Sequence, residues 1–358
     1  MLSFGTWYTA EKDDADRDII DWVKKAFAHG VNFFDTAEIY SFGKAEEVLG
    51  KAIKELNCDR EDLVIATKLW QGGHGPNDKM LSRKHLLEGM KKSLKCLQLD
   101  YVDIIFCHRP DFETPLEETC RAMDWIIEEG YAFYWATSEW SADRINEAME
   151  ICNRLHLHKP IADQCQYHML CRDNLERNLR EWYEEYGYGT TIWSPLAGGI
   201  LSGKYNDGNV PTGSRFDGSK FMDGIFQNYL GEKTKEKTIK LLQGLGEIAA
   251  EVGCTQAQLV LAWTIVNKDV TSWIFGSTRV SQVEDNLKAL EIAAKWTKEL
   301  EEKIEAVLGN APDMQYDFSR FTKFEARRSE RIDYNMIPEE ESAFAKIVFN
   351  EFNKHNTA

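Results

Sequence analysis

Short apolar runs of strand length recur down the chain: Leu2 to Trp7, Val31 to Thr36, Leu63 to Lys68, Val102 to Cys107, Ala132 to Ala136, Ala162 to Gln166, Thr190 to Trp193 and Thr271 to Phe275. Between them lie segments with helical spacing. In Ser82 to Leu97, residues Leu86, Leu87, Met90, Leu94 and Leu97 fall on one stripe behind Ser82, which is placed to cap the helix. Alternating strands and helices imply parallel strands joined by crossover helices, and eight such units are the number that closes a (β/α)8 barrel. A doubly wound open sheet is the second reading. The seventh connection is too long for one helix: Lys237 to Val252 and Gln256 to Asn267 both carry helical apolar spacing, so one of them is expected outside the eight. Before them, Asn206 to Gly224 is rich in Gly and Asp and reads as an ordered loop over a site or a mobile lid. The barrel is expected over residues 1–310. Residues 311–358 form a C-terminal extension of mixed charges and aromatics, with a short helix expected near Glu339 to Phe352.

Composition narrows the class of protein. With 43% apolar residues among 358, the chain can bury a sizeable core. A formal charge of −16 repels phosphate backbones and anionic lipid, which counts against nucleic acid and membrane partners. No run approaches the roughly 18 apolar residues of a spanning helix, and Met1 to Glu11 lacks the blocks of a signal peptide, so a cytoplasmic protein is expected. The eight cysteines are scattered without a CxxC pair and read as reduced thiols. Cys165, His168 and Cys171 lack a second ligand cluster, so no metal site is expected.

In a parallel barrel the active site lies at the carboxyl ends of the strands. There the second strand supplies Asp35 and Tyr40, the third Lys68 and the fourth His108. Taken singly, each has an ordinary structural explanation; together they converge on one mouth. Reducing a carbonyl by hydride transfer needs an acid within reach of the oxygen. A tyrosine serves if a nearby ammonium such as Lys68 lowers its pKa, Asp35 is suited to hold the lysine, and His108 to orient the oxygen or join a proton relay.

Two other motifs are decoys. Tyr40 and Lys44 spell YxxxK, but Gly43 argues against a helix running between them. Gly244 to Ala249 matches GxGxxA but sits inside a helical stretch, away from any strand end. Phosphate binding is expected instead from the loops after strands seven and eight. The first, Trp193 to Tyr205, has small residues and Lys204; in the second, Phe275 to Asn286, Gly276, Ser277 and Thr278 run into a helix start near Ser281. Arg215 and Arg279 are suited to an extra phosphate on the adenosine ribose, which favours NADPH.

Several stretches together resemble the aldo-keto reductase family, in particular its branch of voltage-gated potassium channel β subunits: FGTW, FFDTAEIYSFGKAEEVLG, IATKLW, LSRKHLLEGMKKSLKCLQLDYVDIIFCHRPD, YWATSEWS, QCQYH, WSPLAGGILSGKY and QVEDN. The resemblance runs from Phe4 to about Asn310. It implies a TIM barrel that binds NADPH and reduces an aldehyde or ketone, with a catalytic tetrad of Asp35, Tyr40, Lys68 and His108. It further implies cofactor contacts at Thr6, Trp7, Asp35, Ser138, Gln164, Trp193, Ser194, Leu196, Gly198, Lys204, Arg215, Gly276, Thr278, Gln282, Asp285 and Asn286.

Three departures bear on function. Animal channel subunits carry asparagine where this chain has His108, so this tetrad is the more reductase-like. Glu139 follows Ser138 where many relatives place Asn or Arg against the cofactor, which puts the nicotinamide amide contact in question. The chain also opens at its first strand, without the hairpin that usually closes the barrel floor, and reads as a truncated N-terminus. The favoured expectation is an NADPH-dependent reductase of a small carbonyl substrate. The alternative is a regulatory β subunit that docks on a channel α subunit and uses the cofactor as a redox sensor; by analogy with those subunits, a homotetramer is possible. A catalytically dead scaffold would need a broken tetrad. Trp7, Trp70, Trp135 and Tyr167 are candidates for an aromatic pocket lining or for core packing.

Overall fold

The computed structural model describes residues 2–7, 15–218, 222–277 and 279–313. The expected extension from Met314 on, its helix near Glu339, and Thr278 lie outside the described residues. Eight parallel strands pair in chain order and close into a barrel: β1 (Leu2–Gly5), β2 (Phe33–Asp35), β3 (Val64–Leu69), β4 (Val102–Cys107), β5 (Ala132–Ser138), β6 (Ala162–Gln166), β7 (Gly189–Trp193) and β8 (Ser272–Phe275). Each falls on one of the eight apolar runs. The seam is the β1–β8 pairing, with Ser3 opposite Ile274. Two buried hydroxyls fasten it: Ser3 Oγ donates to the Trp273 carbonyl (3.1 Å), and Ser272 Oγ donates to Ser3 Oγ (3.0 Å).

Side chains alternate across each strand, so the barrel has two apolar layers. Phe33, Ala66, Phe106, Ala136 and Ala162 form an inner cluster. A larger cluster lies between the strands and the helices, and it includes Phe34, Ile65, Ile105, Trp135, Cys165 and Ile192. Trp135 and Tyr167 belong to this buried core, where Tyr167 stacks on Trp263 at 5.0 Å. Trp7 and Trp70 remain half-buried, so of the four candidate lining aromatics only these two keep exposed surface.

Six connections each carry one principal helix: α1 (Ala15–Ala28), α2 (Lys44–Leu56), α3 (Arg83–Leu97), α4 (Leu116–Glu128), α5 (Ala142–Leu155) and α6 (Arg180–Tyr186). Ser82 caps α3 by accepting from the His85 amide, as its spacing predicts. At Gly50 on α2, an added Cβ would stand 2.3 Å from the Leu97 carbonyl oxygen. Glycine is therefore what lets α2 approach the end of α3. The long connection carries α7 (Asp223–Leu230), α8 (Lys235–Val252) and α9 (Gln256–Val266). From Leu259 to Thr264 every residue of α9 is buried, and the helix packs against α8, α10 (Val280–Leu287) and α11 (Ala289–Ala293). It is thus the inner helix of the two foreseen, and α8 is the added one. Thr255 and Gln258 close a reciprocal capping box at its start. The GxGxxA match lies within α8 and the eight cysteines are free.

The last helix among the described residues, α12 (Lys298–Leu308), is fastened to the loop after β6. Buried Arg172 meets Glu176 (2.9 Å) and Glu305 (2.7 Å), and Asn310 donates to the Met169 carbonyl (2.8 Å). No helix among the described residues is long and apolar enough to cross a membrane.

Candidate active site

The chain leaves β2 through a turn that sets Tyr40. Ser41 (φ 48°), Phe42 (φ 52°) and Gly43 (φ 92°) adopt left-handed backbone before α2 begins at Lys44. That break sends Lys44 outward to Asp16 (2.8 Å) and removes it as a partner for Tyr40. Lys68 takes the place instead. It is fully buried on β3, and its Nζ donates to Asp35 Oδ2 (2.5 Å), the Thr36 carbonyl (2.7 Å) and the Tyr40 hydroxyl (3.3 Å). Gln164 on β6 donates to the other Asp35 oxygen (3.1 Å). His108, directly after β4, meets the Tyr40 ring edge-on with centroids 5.7 Å apart. The four tetrad residues are therefore assembled as expected.

Burial is the largest influence on Tyr40, Asp35 and His108. It raises the Tyr40 hydroxyl above the ordinary phenol value, and the Lys68 charge only partly counteracts it. The expectation that Lys68 would bring Tyr40 below its ordinary value is not met; the phenol is held protonated. Burial likewise raises the Asp35 carboxyl, with Lys68 and Gln164 pulling the other way. It holds His108 well below the usual imidazole value, helped by the charges of Lys68 and Arg109, so the ring is neutral. His108 Nδ1 is buried without a partner.

The rim carries the residues expected to hold a cofactor. Thr6 bonds the Asp35 carbonyl through both its amide (2.9 Å) and its hydroxyl (3.2 Å). After β7, Ser194 (φ 56°), Ala197 (φ 51°), Gly198 (φ 68°) and Gly199 (φ 113°) fold a tight turn. Its amides are satisfied internally: Ala197 N reaches the Ser194 carbonyl (2.8 Å), Gly198 N the Ser194 hydroxyl (2.9 Å) and Gly199 N the Leu196 carbonyl (2.9 Å). This turn offers close backbone approach and leaves no spare donors at those three amides. Arg215 stacks over Trp7 at 4.5 Å; its Nε is buried without a partner, and no carboxylate among the described residues pairs with the guanidinium. After β8, Gly276 and Ser277 lead towards α10, where the N-cap residue Arg279 makes no side-chain cap bond. A guanidinium with no carboxylate among the described residues and a helix N-terminus are both suited to phosphate. Not every expected contact is gathered here. Lys204 and Arg279 are exposed, and Asp285 pairs with Lys288 (3.1 Å) on the surface of α10. Gln282 is half-buried beside Ser277 (3.4 Å), and Asn286 is buried.

Comparison with known proteins agrees with this geometry. The description "Aldo/keto reductase family" matches residues 1–307. The chain belongs to the aldo/keto reductase family. Two curated relatives, from Oryza sativa subsp. japonica and Arabidopsis thaliana, are each named "Probable voltage-gated potassium channel subunit beta". The rice protein is 45% identical over 312 residues, covering 87% of this chain and 94% of its own. The Arabidopsis protein is 46% identical over 311 residues, covering 87% of this chain and 93% of its own.

In this aldo/keto reductase, sequence reasoning missed Arg109 and saw Glu139 only as a departure from its relatives. Arg109 Nη1 donates to Ser138 Oγ (3.0 Å) and to the His108 carbonyl (2.5 Å), and the guanidinium lies 5.8 Å from the Trp193 ring. Glu139 turns inward and accepts from the Gln166 amide (2.5 Å) and the Trp193 indole (2.8 Å). Adjacency to His108 and Ser138 was the available signal for each.

Proposed function

We propose that this aldo/keto reductase converts aldehydes or ketones to alcohols at the expense of NADPH, with Tyr40 as general acid. The observation that carries this reading is the placement of Lys68 Nζ between Asp35 and the Tyr40 hydroxyl. Because the hydroxyl oxygen accepts from Lys68, its proton is left to donate into the mouth. A nicotinamide cofactor, when bound, supplies the hydride. Negative charge developing on the substrate oxygen is met by the Tyr40 proton, while neutral His108 offers a second donor. The phenolate left behind is stabilised by the Lys68 ammonium, and Asp35 holds that ammonium in place. Arg215 is suited to the additional phosphate of NADPH, with the N-terminus of α10, Ser194, Gly198, Gln282 and Asn286 around the rest of the cofactor. Tyr40→Phe tests the reading: turnover followed at the NADPH absorbance is expected to fall at least about 100-fold, while fluorescence titration shows cofactor binding retained. Wild-type turnover in the Phe variant would sink it.

The names of the two plant relatives favour a second reading, a cytoplasmic and tetrameric regulatory subunit that docks on a potassium channel α subunit and senses redox state through the same cofactor. Tight NADPH binding without turnover of any of a panel of reactive aldehydes, together with co-assembly with a channel's cytoplasmic domain, would favour this reading over the first.

A further inference from the structure

We propose that Glu139 is a positioning residue that clamps the ends of three adjacent strands and so fixes the Trp193 ring for the nicotinamide. The proposal rests on the cofactor reading above and extends it to a residue that reading leaves without a role.

Glu139 directly follows β5 and stands in left-handed backbone (φ 58°), a conformation non-glycine residues rarely adopt. That turn has a geometric result. The Glu139 amide donates to the Gln164 carbonyl on β6 (3.2 Å). Its carboxylate oxygen Oε1 then accepts from the amide of Gln166 at the end of β6 (2.5 Å) and from the indole nitrogen of Trp193 at the end of β7 (2.8 Å). One half-buried side chain thereby ties β5, β6 and β7 together at the mouth. From these strand ends project Ser138, Gln164 and Trp193, three of the residues assigned to the cofactor. Ser138 is itself fixed by Gln164 and Arg109. A tryptophan has two free side-chain torsions, and a charge-assisted bond at the indole N–H removes that freedom without occupying either ring face. With the bonded edge turned to Glu139 and the Arg109 guanidinium over one face of the ring at 5.8 Å, the opposite face of Trp193 is the one assigned to a flat ring.

The intact protein is compared with Glu139→Gln, Glu139→Ala and Trp193→Phe, by near-ultraviolet circular dichroism and by NADPH fluorescence titration. The Trp193 signal, taken as wild type minus Trp193→Phe, is expected to flatten in Glu139→Ala and to persist in Glu139→Gln, whose amide oxygen can accept both bonds. NADPH affinity is expected to fall about tenfold in Glu139→Ala, to stay within about threefold in Glu139→Gln, and to fall no further when Glu139→Ala is added to Trp193→Phe. An unchanged indole signal in Glu139→Ala overturns the clamp. A flattened signal with undiminished affinity, or additive losses in the double variant, overturns its role toward the cofactor. A wild type that binds no nicotinamide nucleotide removes the cofactor reading itself, and the indole signal then decides alone whether Glu139 holds Trp193.

Discussion

Tyr40 meets two opposing influences: loss of solvent raises its hydroxyl above the ordinary phenol value, and Lys68 at 3.3 Å pulls it back. The net direction keeps the proton on the oxygen. His108 moves the opposite way and stays neutral well below the usual imidazole value. Neither group therefore changes charge across the neutral range, and the rate of carbonyl reduction is expected to be flat between about pH 7 and about pH 9. A loss of rate centred near neutrality in a pH profile of kcat/KM would contradict this. Lys68→Met is expected to abolish turnover and to destabilise the fold by about 3–5 kcal/mol in chemical denaturation, because it strands Asp35 as a buried carboxylate without its counter-ion. The tetrad was legible in the sequence because each member sits in or just after an apolar run, where the barrel rule says to look. Arg109 and Glu139 were not legible as positioning groups. Their partners, Ser138, Gln166 and Trp193, come from neighbouring strands, and those distances exist only once the barrel closes. The direction of the Tyr40 shift was also out of reach, since it depends on how much solvent the folded mouth excludes.

Strands and helices were more legible than individual contacts. Each of the eight strands overlaps its apolar run, with β3, β5 and β7 reaching one or two residues beyond it, because parallel barrel strands are covered on both faces and lose the polar alternation that blurs other strands. The order of α8 and α9 was not readable. Both carry helical apolar spacing, and only packing shows α9 buried on every side along Leu259 to Thr264. The α2–α3 contact gives an element-scale prediction. Gly50→Ala would drive a methyl into the Leu97 carbonyl at 2.3 Å, where backbone, not a flexible side chain, must give way. A loss of roughly 1–3 kcal/mol is expected in chemical denaturation, without a change in NADPH affinity. Also on α2, Glu46 is buried against the Thr67 hydroxyl (2.6 Å), and desolvation pushes its carboxyl up to about 7. A folded-state value raised above the unfolded one means that the folded state binds the extra proton. Stability is then lost as pH climbs from about 4.5 through about 7. Glu46→Gln is expected to flatten that part of the stability curve, measured by melting at pH 6 and pH 8.

At the scale of the whole barrel, α12 is held by charge and not by apolar contact alone. Arg172 reaches Glu176 on one side and Glu305 of α12 on the other, with little solvent around it. Arg172→Leu would leave Glu176 and Glu305 facing one another without their cation, and a drop in melting temperature with earlier proteolysis of α12 is the expected outcome. The barrel itself closes through its two most distant strands, since β1 pairs with β8 and Ser3 bonds both Trp273 and Ser272. During synthesis this has a temporal meaning. β1 emerges from the ribosome before the other strands, yet its second neighbour is among the last parts of the barrel to be made. Until Phe275 has been translated, both edges of every partial sheet stay open to strangers. Nascent chains stalled before β8 should therefore bind chaperones, and chains stalled beyond α12 should release them.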